Sequence, residues 1–336
     1  MENILITGGS GYIGSHIALE LLKNKFKVFV IDNLSNSTKS SVINVEKIAK
    51  KKISFYKGDI RDLNFLDNFF QNHSIQCVIH CAGLKSVSES ILKPLDYYQN
   101  NIEGTINLLN VVSKYKINKF LFSSSATVYD QNQEMPVKES SKIGFGQNPY
   151  ARTKIFIENI LRDLNLSSDL SIIILRYFNP VGNDPSYLIG EDPLDKPNNL
   201  MPLINMAAHN LSKLVIFGSD YTTRDGTPIR DYIHVSDLAS GHVKALNKIL
   251  DNKSQYFKIY NLGTGNGTTV LELVRKFEIA NSISVPYCIG NRRLGDIESS
   301  FADNSLALKE LKWKPLYNLE DMCMHSYNWY KKLFIE

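Results

Sequence analysis

The sequence is poor in the features that mark metal-binding, disulfide-rich, membrane or nucleic-acid proteins. Its four cysteines, Cys77, Cys81, Cys288 and Cys323, contain no Cys-x-x-Cys, which points to neither a zinc site nor a disulfide framework. Reduced thiols fit a cytoplasmic chain. The seven histidines fall at no ligand spacing, so no metal is expected. The net charge is only +4, too small to argue for nucleic acid, and Lys50-Lys51-Lys52 reads as a solvated surface. No apolar run approaches the ~18 residues of a membrane span. The N-terminus runs straight into a strand pattern, so no signal peptide is expected. Neither an internal repeat nor a low-complexity tract is visible. What is there is 336 residues, 43% apolar and 21% charged, enough to bury a full core in two domains or one large one.

Residues 3–7, Asn-Ile-Leu-Ile-Thr, read as a short buried strand. Gly8-Gly9-Ser10-Gly11-Tyr12-Ile13-Gly14 follows, then a helical stretch with Ile17, Ala18, Leu21 and Leu22 on one face. A second strand, 27–31, ends at Asp32. Glycines let a backbone approach a pyrophosphate seated on a helix N-terminus. An acid at the tip of the second strand accepts from ribose hydroxyls and repels a 2′-phosphate, which favours NAD over NADP. Strand patterns continue at 53–57, 77–81, 119–123 and 171–176, with helical patterns between them, such as Ile102, Ile106, Leu109 and Val112. This alternation predicts an α/β fold, a doubly wound parallel (Rossmann) sheet, with ligands beyond the carboxyl ends of the strands.

From Asn179 the pattern breaks, with Pro180, Pro185, Pro193 and Pro197 in one segment lacking clear periodicity. The expected division is an NAD-binding domain over 1–178, with a returning segment near 231–261, and a smaller C-terminal lobe over 179–336. Leu214 to Phe217 reads as a strand of that lobe. The second glycine cluster, 263–267, lacks a Gly-x-x-Gly spacing into its helix and reads as a structural loop.

Tyr150 and Lys154 are four residues apart, one turn apart on a helix that Asn148 can cap and Pro149 can open. A free phenol, with a pKa of about 10, is a poor base at neutral pH, and a nearby cation lowers that value. The same spacing recurs as Tyr115/Lys119 and Tyr327/Lys331, so context must single out the pair at 150. His80 lies in a buried strand run and reads as a core histidine. His234 follows Tyr232-Ile233 and reads as structural.

Six motifs in order resemble the extended short-chain dehydrogenase/reductases, and within them the nucleotide-sugar 4-epimerase branch. They are Gly8 to Gly14, Ser123-Ser124-Ser125-Ala126-Thr127-Val128-Tyr129, Tyr150-x-x-x-Lys154, Arg176-Tyr177-Phe178-Asn179-Pro180, Asn198-Asn199-Leu200-Met201-Pro202 and Arg230-Asp231-Tyr232-Ile233-His234-Val235. The resemblance covers essentially the whole chain. It implies NAD-dependent 4-epimerisation of UDP-hexoses through a transient 4-keto sugar and enzyme-held NADH, by a homodimer built through helices of the nucleotide-binding lobe that cover the face around Ile102 to Val112. Tyr150 is then the base that takes the 4-hydroxyl proton, Lys154 lowers its pKa and binds the nicotinamide ribose, and Ser125 relays the proton. The family pattern carries the cofactor onto Gly8, Gly11, Tyr12, Ile13, Gly14, Asp32, Asn33, Asn36, Ser37, Asp59, Ile60, Ala82, Gly83, Lys85, Asn100, Ser123 and Phe178, with Tyr150 and Lys154. It carries the UDP-sugar onto Asn179, Asn199, Leu200, Phe217, Arg230, Arg293 and Asp296, with Ser125 and Tyr150. Arginine forks suit diphosphate oxygens.

Departures from the pattern carry information. Cys81 stands where the family has an aromatic or other apolar residue beside the cofactor. Asp130 and Ala151 replace glycines, the first at a local turn. The resemblance places Ser300, ahead of Phe301 and the Ala302-Asp303 pair, in the sugar pocket, where a small residue leaves room for a 2-acetamido group. That implies activity on UDP-GlcNAc and UDP-GalNAc as well. Alternatives are a UDP-uronate 4-epimerase, a nucleotide-sugar dehydratase, which would need an acid pair where Ala126-Thr127-Val128 stands, and a non-catalytic NAD-sensing regulator.

Overall fold

The apolar runs at 3–7 and 77–80 become neighbouring strands near the middle of a seven-stranded sheet. In the computed structural model, which describes residues 1–194, 197, 199–293 and 295–334, the strands lie in the order Phe257–Leu262, Ser171–Tyr177, Lys119–Ser125, Cys77–His80, Asn3–Thr7, Lys27–Asp32 and Ser54–Lys57. Every pairing is parallel. A parallel sheet is covered on both faces, so its strands read as continuous apolar runs. Alternate residues separate cleanly: Ile4, Ile6, Val28 and Val30 pack into one core cluster, and Leu5, Phe29 and Ile31 into another. The first cluster is closed by Ile17 and Leu21 of the helix Tyr12–Lys23 and by Leu238 and Leu246 of the helix Val235–Asp251. The second is closed by Leu66 and Phe69 of Leu63–Asn72, Leu108 and Val112 of Gly104–Lys114, and Ile157 and Leu161 of Pro149–Ser167.

The strand order reverses between Asn3–Thr7 and Cys77–His80. Chain connections leave these two strands toward opposite faces, which opens a crevice at their carboxyl ends. Residues Gly8 and Ala82 stand on either side of it. Gly8 has φ +73°, and a Cβ placed there would meet the Ala82 amide nitrogen at 2.7 Å, so the two loops approach backbone to backbone only because position 8 is glycine.

A smaller C-terminal region has its own apolar cluster, including Met201, Ile204, Leu214, Ile216, Leu273, Phe277 and Met322. Leu214–Phe217 is a strand, as its sequence predicts, and pairs with Tyr287–Gly290. Ile229–Arg230 lies between Thr268–Thr269 and Ser299–Ser300. The adjoining Asp231, fully buried, holds the second glycine cluster. One carboxylate oxygen accepts from the Thr264 amide at 2.8 Å and hydroxyl at 2.6 Å, the other from the amides of Gly265 and Ala302 at 3.0 and 3.1 Å.

His80 and His234 are both fully buried. The first sits between the hydroxyls of Thr7 and Thr105, 2.7 and 2.8 Å away, and burial pushes its imidazole down to about 3. The second caps the helix Val235–Asp251 by accepting from the Ser236 amide at 3.0 Å. Asp130 has no left-handed backbone. Its carboxylate accepts from the Asn132 amide at 3.1 Å and pairs with Lys142 at 3.2 Å, so the turn forms without the glycine.

Candidate active site

A cleft of about 840 Å³ opens at the reversal point, lined by the glycine turn, the tip of the second strand, the loop after Cys77–His80 and the start of the helix Pro149–Ser167. The helix Tyr12–Lys23 begins at Gly11, with no side chain capping its first amides. Those free N–H groups and the positive helix end suit an anion at the turn. Asp32 is 8% exposed. It accepts from the Ser10 amide at 2.9 Å, the Leu34 amide at 2.9 Å and the Ser37 hydroxyl at 3.1 Å, so its carboxylate is locked at the cleft wall. These groups fit a dinucleotide: amides for the pyrophosphate and an acceptor for the ribose, beside the close backbone contact of Gly8 with Ala82.

The catalytic candidates come from the helix Pro149–Ser167. Asn148 caps it by accepting from the Ala151 amide at 2.9 Å, and Pro149 occupies the first turn. Tyr150 and Lys154 both line the cleft. The Lys154 ammonium donates to the Ser123 carbonyl at 2.8 Å and lies 6.0 Å from the Tyr150 ring centroid. Ser125 ends the strand Lys119–Ser125, accepts from the amide and hydroxyl of Thr127 at 3.2 and 3.1 Å, and stands near enough to the Tyr150 phenol to pull its pKa down. The other two Tyr-x-x-x-Lys pairs do no such thing. Lys119 starts a strand, and Tyr327 stacks on His209 with ring centroids 5.2 Å apart.

Burial pushes the Tyr150 phenol up, with the Ser125 hydrogen bond pulling the other way. The expectation that Lys154 draws this phenol down is therefore not met by the protein groups alone. Burial outweighs the pull of Ser125 on the phenol and also lowers the Lys154 ammonium itself to about 8.

The helix is pinned from behind. Glu158, one turn past Lys154, takes both Arg176 forks at 2.6 and 3.0 Å and the Ser124 hydroxyl at 2.6 Å. Arg176 is 2% exposed. The pair ties the catalytic helix to the ends of two strands.

Among the cofactor candidates, Gly8, Gly11, Tyr12, Ile13, Gly14, Asp32, Asn33, Asn36, Ser37, Ile60, Ala82, Gly83, Lys85, Asn100, Tyr150 and Lys154 line the cleft. Three stand elsewhere. Asp59 turns to Arg61, at 2.7 and 3.0 Å, and to Asn33 at 2.9 Å, and the Arg61 guanidinium holds its carboxyl down at about 2. Ser123 is buried, with its hydroxyl 2.8 Å from His242 Nε2, and serves the site through its carbonyl on Lys154. Phe178 packs with Val128 and Tyr129. Cys81 does line the cleft, its Sγ 3.1 Å from the Ser123 hydroxyl, and burial pushes its thiol up to about 11.

The substrate candidates form a second group. Asn199 lines the cleft. Arg293 lies 4.8 Å over the Phe217 ring and bonds Asp296 at 2.9 and 3.3 Å, with Arg230 4.0 Å from the same carboxylate. Tyr221 sits among them, its ring 4.0 Å from the Arg292 guanidinium and its buried hydroxyl unpartnered. Asn179 is exposed at the start of a short strand, and Leu200 opens the helix Leu200–Ala208. Ser300 pairs in register with Arg230. Asn198 lies outside the described residues.

Sequence reasoning missed Ser10, Ser41, Asn44, Tyr177 and the segment Leu188 to Pro193, all on the cleft wall. The cluster Thr38, Ser40 and Ser41 after Asp32 was the available signal for part of this. For Leu188 to Pro193 there was none beyond the broken periodicity.

Fold and site together define a dinucleotide-binding architecture, and the chain belongs to the NAD dependent epimerase/dehydratase family, whose model matches residues 4–263. NAD is its cofactor. The chain is similar to the UDP-glucose 4-epimerase of Dictyostelium discoideum, at 49% identity over 330 residues, 98% of this chain and 95% of that protein. The UDP-glucose 4-epimerase of Stenotrophomonas maltophila, solved with bound NAD and formylated UDP-arabinopyranose, superposes with a TM-score of 0.96 at 45% identity, covering 99% of both chains. That of Bifidobacterium longum, in complex with NAD+ and UDP, superposes at 0.94 with 44% identity over 98% of each. Among the described residues no helix is long and apolar enough to cross a membrane.

Proposed function

We propose that this chain inverts C4 of UDP-hexoses, interconverting UDP-glucose and UDP-galactose. The carrying observation is that Tyr150 and Lys154 line the cleft that begins at the glycine turn, with Ser125 placed beside the Tyr150 phenol. Near-half identity to UDP-glucose 4-epimerases over nearly the whole chain supports it.

NAD, when bound, supplies a reversible acceptor for the C4 hydrogen and a cationic ring. A cation beside a buried phenol offsets the burial that raises it. Tyr150 then takes the 4-hydroxyl proton, directly or through the Ser125 hydroxyl, and returns it after the 4-keto sugar has turned over. Lys154, held by the Ser123 carbonyl, keeps a positive charge on the same helix face. The sugar must turn freely, so affinity has to come from the remote nucleotide. Arg230 and Arg293 are suited to its diphosphate, Phe217 to the uracil and Asp296 to the ribose. A dehydratase would need an acid just after Ser125, where Ala126–Val128 form a short turn. The purified protein is expected to form UDP-galactose from UDP-glucose without added cofactor. Tyr150→Phe should cut this by at least about a hundredfold while NAD stays bound; retained turnover removes the base assignment.

The small Ser300, opposite Arg230, supports use of UDP-GlcNAc and UDP-GalNAc as well. Ser300→Tyr should then abolish turnover of the N-acetyl sugars and spare the unsubstituted ones. An inactive wild type on N-acetyl sugars refutes this extension.

A homodimer fits the exposed apolar face. It is not the one around Ile102 to Val112, because Leu108, Leu109, Val111 and Val112 already sit in the core, leaving Ile106 at 41% exposed. Ile91, Leu92 and Leu95, at 59, 81 and 72% exposed, and Phe156 at 46% form the candidate surface. Sedimentation of the Leu92→Glu, Leu95→Glu variant tests it, with a monomer expected.

A further inference from the structure

The segment from Gly182 to Leu194 crosses from the smaller region over the cleft. Along its length it is tied to separate elements of the nucleotide-binding side. The Tyr12 phenol donates to the Gly182 carbonyl at 2.5 Å, and the Asp184 amide donates to His16 Nε2 at 3.1 Å. Asn44 donates to the Leu188 carbonyl at 2.9 Å, and the Leu194 amide donates to the Asn36 carbonyl oxygen, Oδ1, at 3.1 Å. Ile189, 1% exposed, anchors the middle in the core. Glu191 stands at the centre of these ties. Its Oε1 accepts from Lys85 at 3.0 Å and from Asn199 at 2.5 Å. Lys85 belongs to the loop after Cys77–His80, Asn199 to the start of the helix Leu200–Ala208. One carboxylate thus joins the two walls of the cleft, and all three residues line it.

We propose that Glu191 is a positioning residue for cofactor retention: by clasping Lys85 and Asn199 it holds the segment 182–194 shut over bound NAD and slows its escape. The carboxylate is 10% exposed and its lysine partner 45% exposed. The clasp is therefore sheltered on one side and open to salt on the other. Release of a dinucleotide requires the segment to lift, which breaks the charged hydrogen bonds to Glu191 together with those to the Asn44 and Asn36 side chains. The clasp needs only the NAD of the family, not a particular sugar, so it stands or fails apart from the epimerase reading.

The test follows nucleotide release from the purified holoprotein without any sugar. Released NAD is captured by excess alcohol dehydrogenase with ethanol and read as absorbance. Glu191→Gln should speed release about tenfold to a hundredfold, and Asn44→Ala about threefold to tenfold, in line with charged and neutral hydrogen bonds. Raising salt should speed release from wild type more than from Glu191→Gln, a difference that a purely structural role would not produce. Glu191→Asp should restore part of the retention. Equal release rates for wild type and a Glu191→Gln protein of unchanged melting temperature overturn the proposal, as do equal salt slopes. If Glu191→Gln does not fold, Asn44→Ala decides, and release no faster than wild type overturns it.

Discussion

The sheet side of the cleft offers a dinucleotide mostly backbone: free amides at the start of Tyr12–Lys23, on a turn drawn tight by the contact of Gly8 with Ala82. The smaller region offers side-chain charge: Arg230, Arg292 and Arg293 around Asp296 and Tyr221. The first surface is built when the strands register, and no rotamer search is needed to complete it. The second consists of long side chains whose ordering costs entropy each time a ligand is gripped. A resident cofactor suits the first and an exchanging nucleotide the second. The contrast teaches that one fold can carry two kinds of wall, one fixed by backbone and one completed by guanidinium side chains.

That comparison can be broken or sharpened by measurement. The largest effect is expected behind the sheet side. Glu158→Ala leaves Arg176 buried without its carboxylate, and should lower stability by about 3–5 kcal/mol in urea unfolding. A loss below ~1 kcal/mol would mean that the sheet side is not rigidly pinned there.

Next comes a pH effect at the catalytic helix. Lys154 titrates from a usual value of 10.5 down to about 8 when folded. Between those values the unfolded chain holds the extra proton, so rising pH favours the folded state. Wild type should gain up to about 3 kcal/mol relative to Lys154→Met over that window. A flat difference between the two proteins refutes the burial argument.

The smallest effect belongs to the smaller region. Arg230→Ala should raise KM for UDP-glucose about tenfold to a hundredfold while kcat and bound NAD change little. If bound NAD falls instead, the division between retention and turnover fails.

The backbone surface was the legible one. A glycine where φ is positive, Asp32 ending a strand, and Asn148-Pro149 opening a helix are local instructions, and each produces its geometry within a few residues. The parallel sheet followed from the same periodicity. The charged surface was readable only through the resemblance, since nothing near Arg293 in the chain says that it will lie over Phe217. Glu191 left no trace at all, because its partners Lys85 and Asn199 meet it only after the whole fold has closed. The family pattern names Asp59 as a cofactor contact, and nothing in the spacing shows that its carboxylate also bonds Arg61 and Asn33. The rise of the Tyr150 phenol was equally hidden: spacing shows a nearby cation and does not show how deeply both groups are buried.

Asp231 has one further consequence. Its four accepted hydrogen bonds reach Thr264, Gly265 and Ala302, while its own amide donates to the Ser300 carbonyl and its carbonyl accepts from the Asn179 amide, both at 3.0 Å. Chain segments at 179, 231, 264 and 300 are thereby sewn together at one buried residue. Swinging the chain apart at that seam would break these hydrogen bonds together, at a cost of several kcal/mol. The molecule consequently has no easy hinge at this crossing. Traffic in and out of the cleft is left to local lifting of surface chain, and its tempo is set by a few ties there, not by the mass of a moving domain.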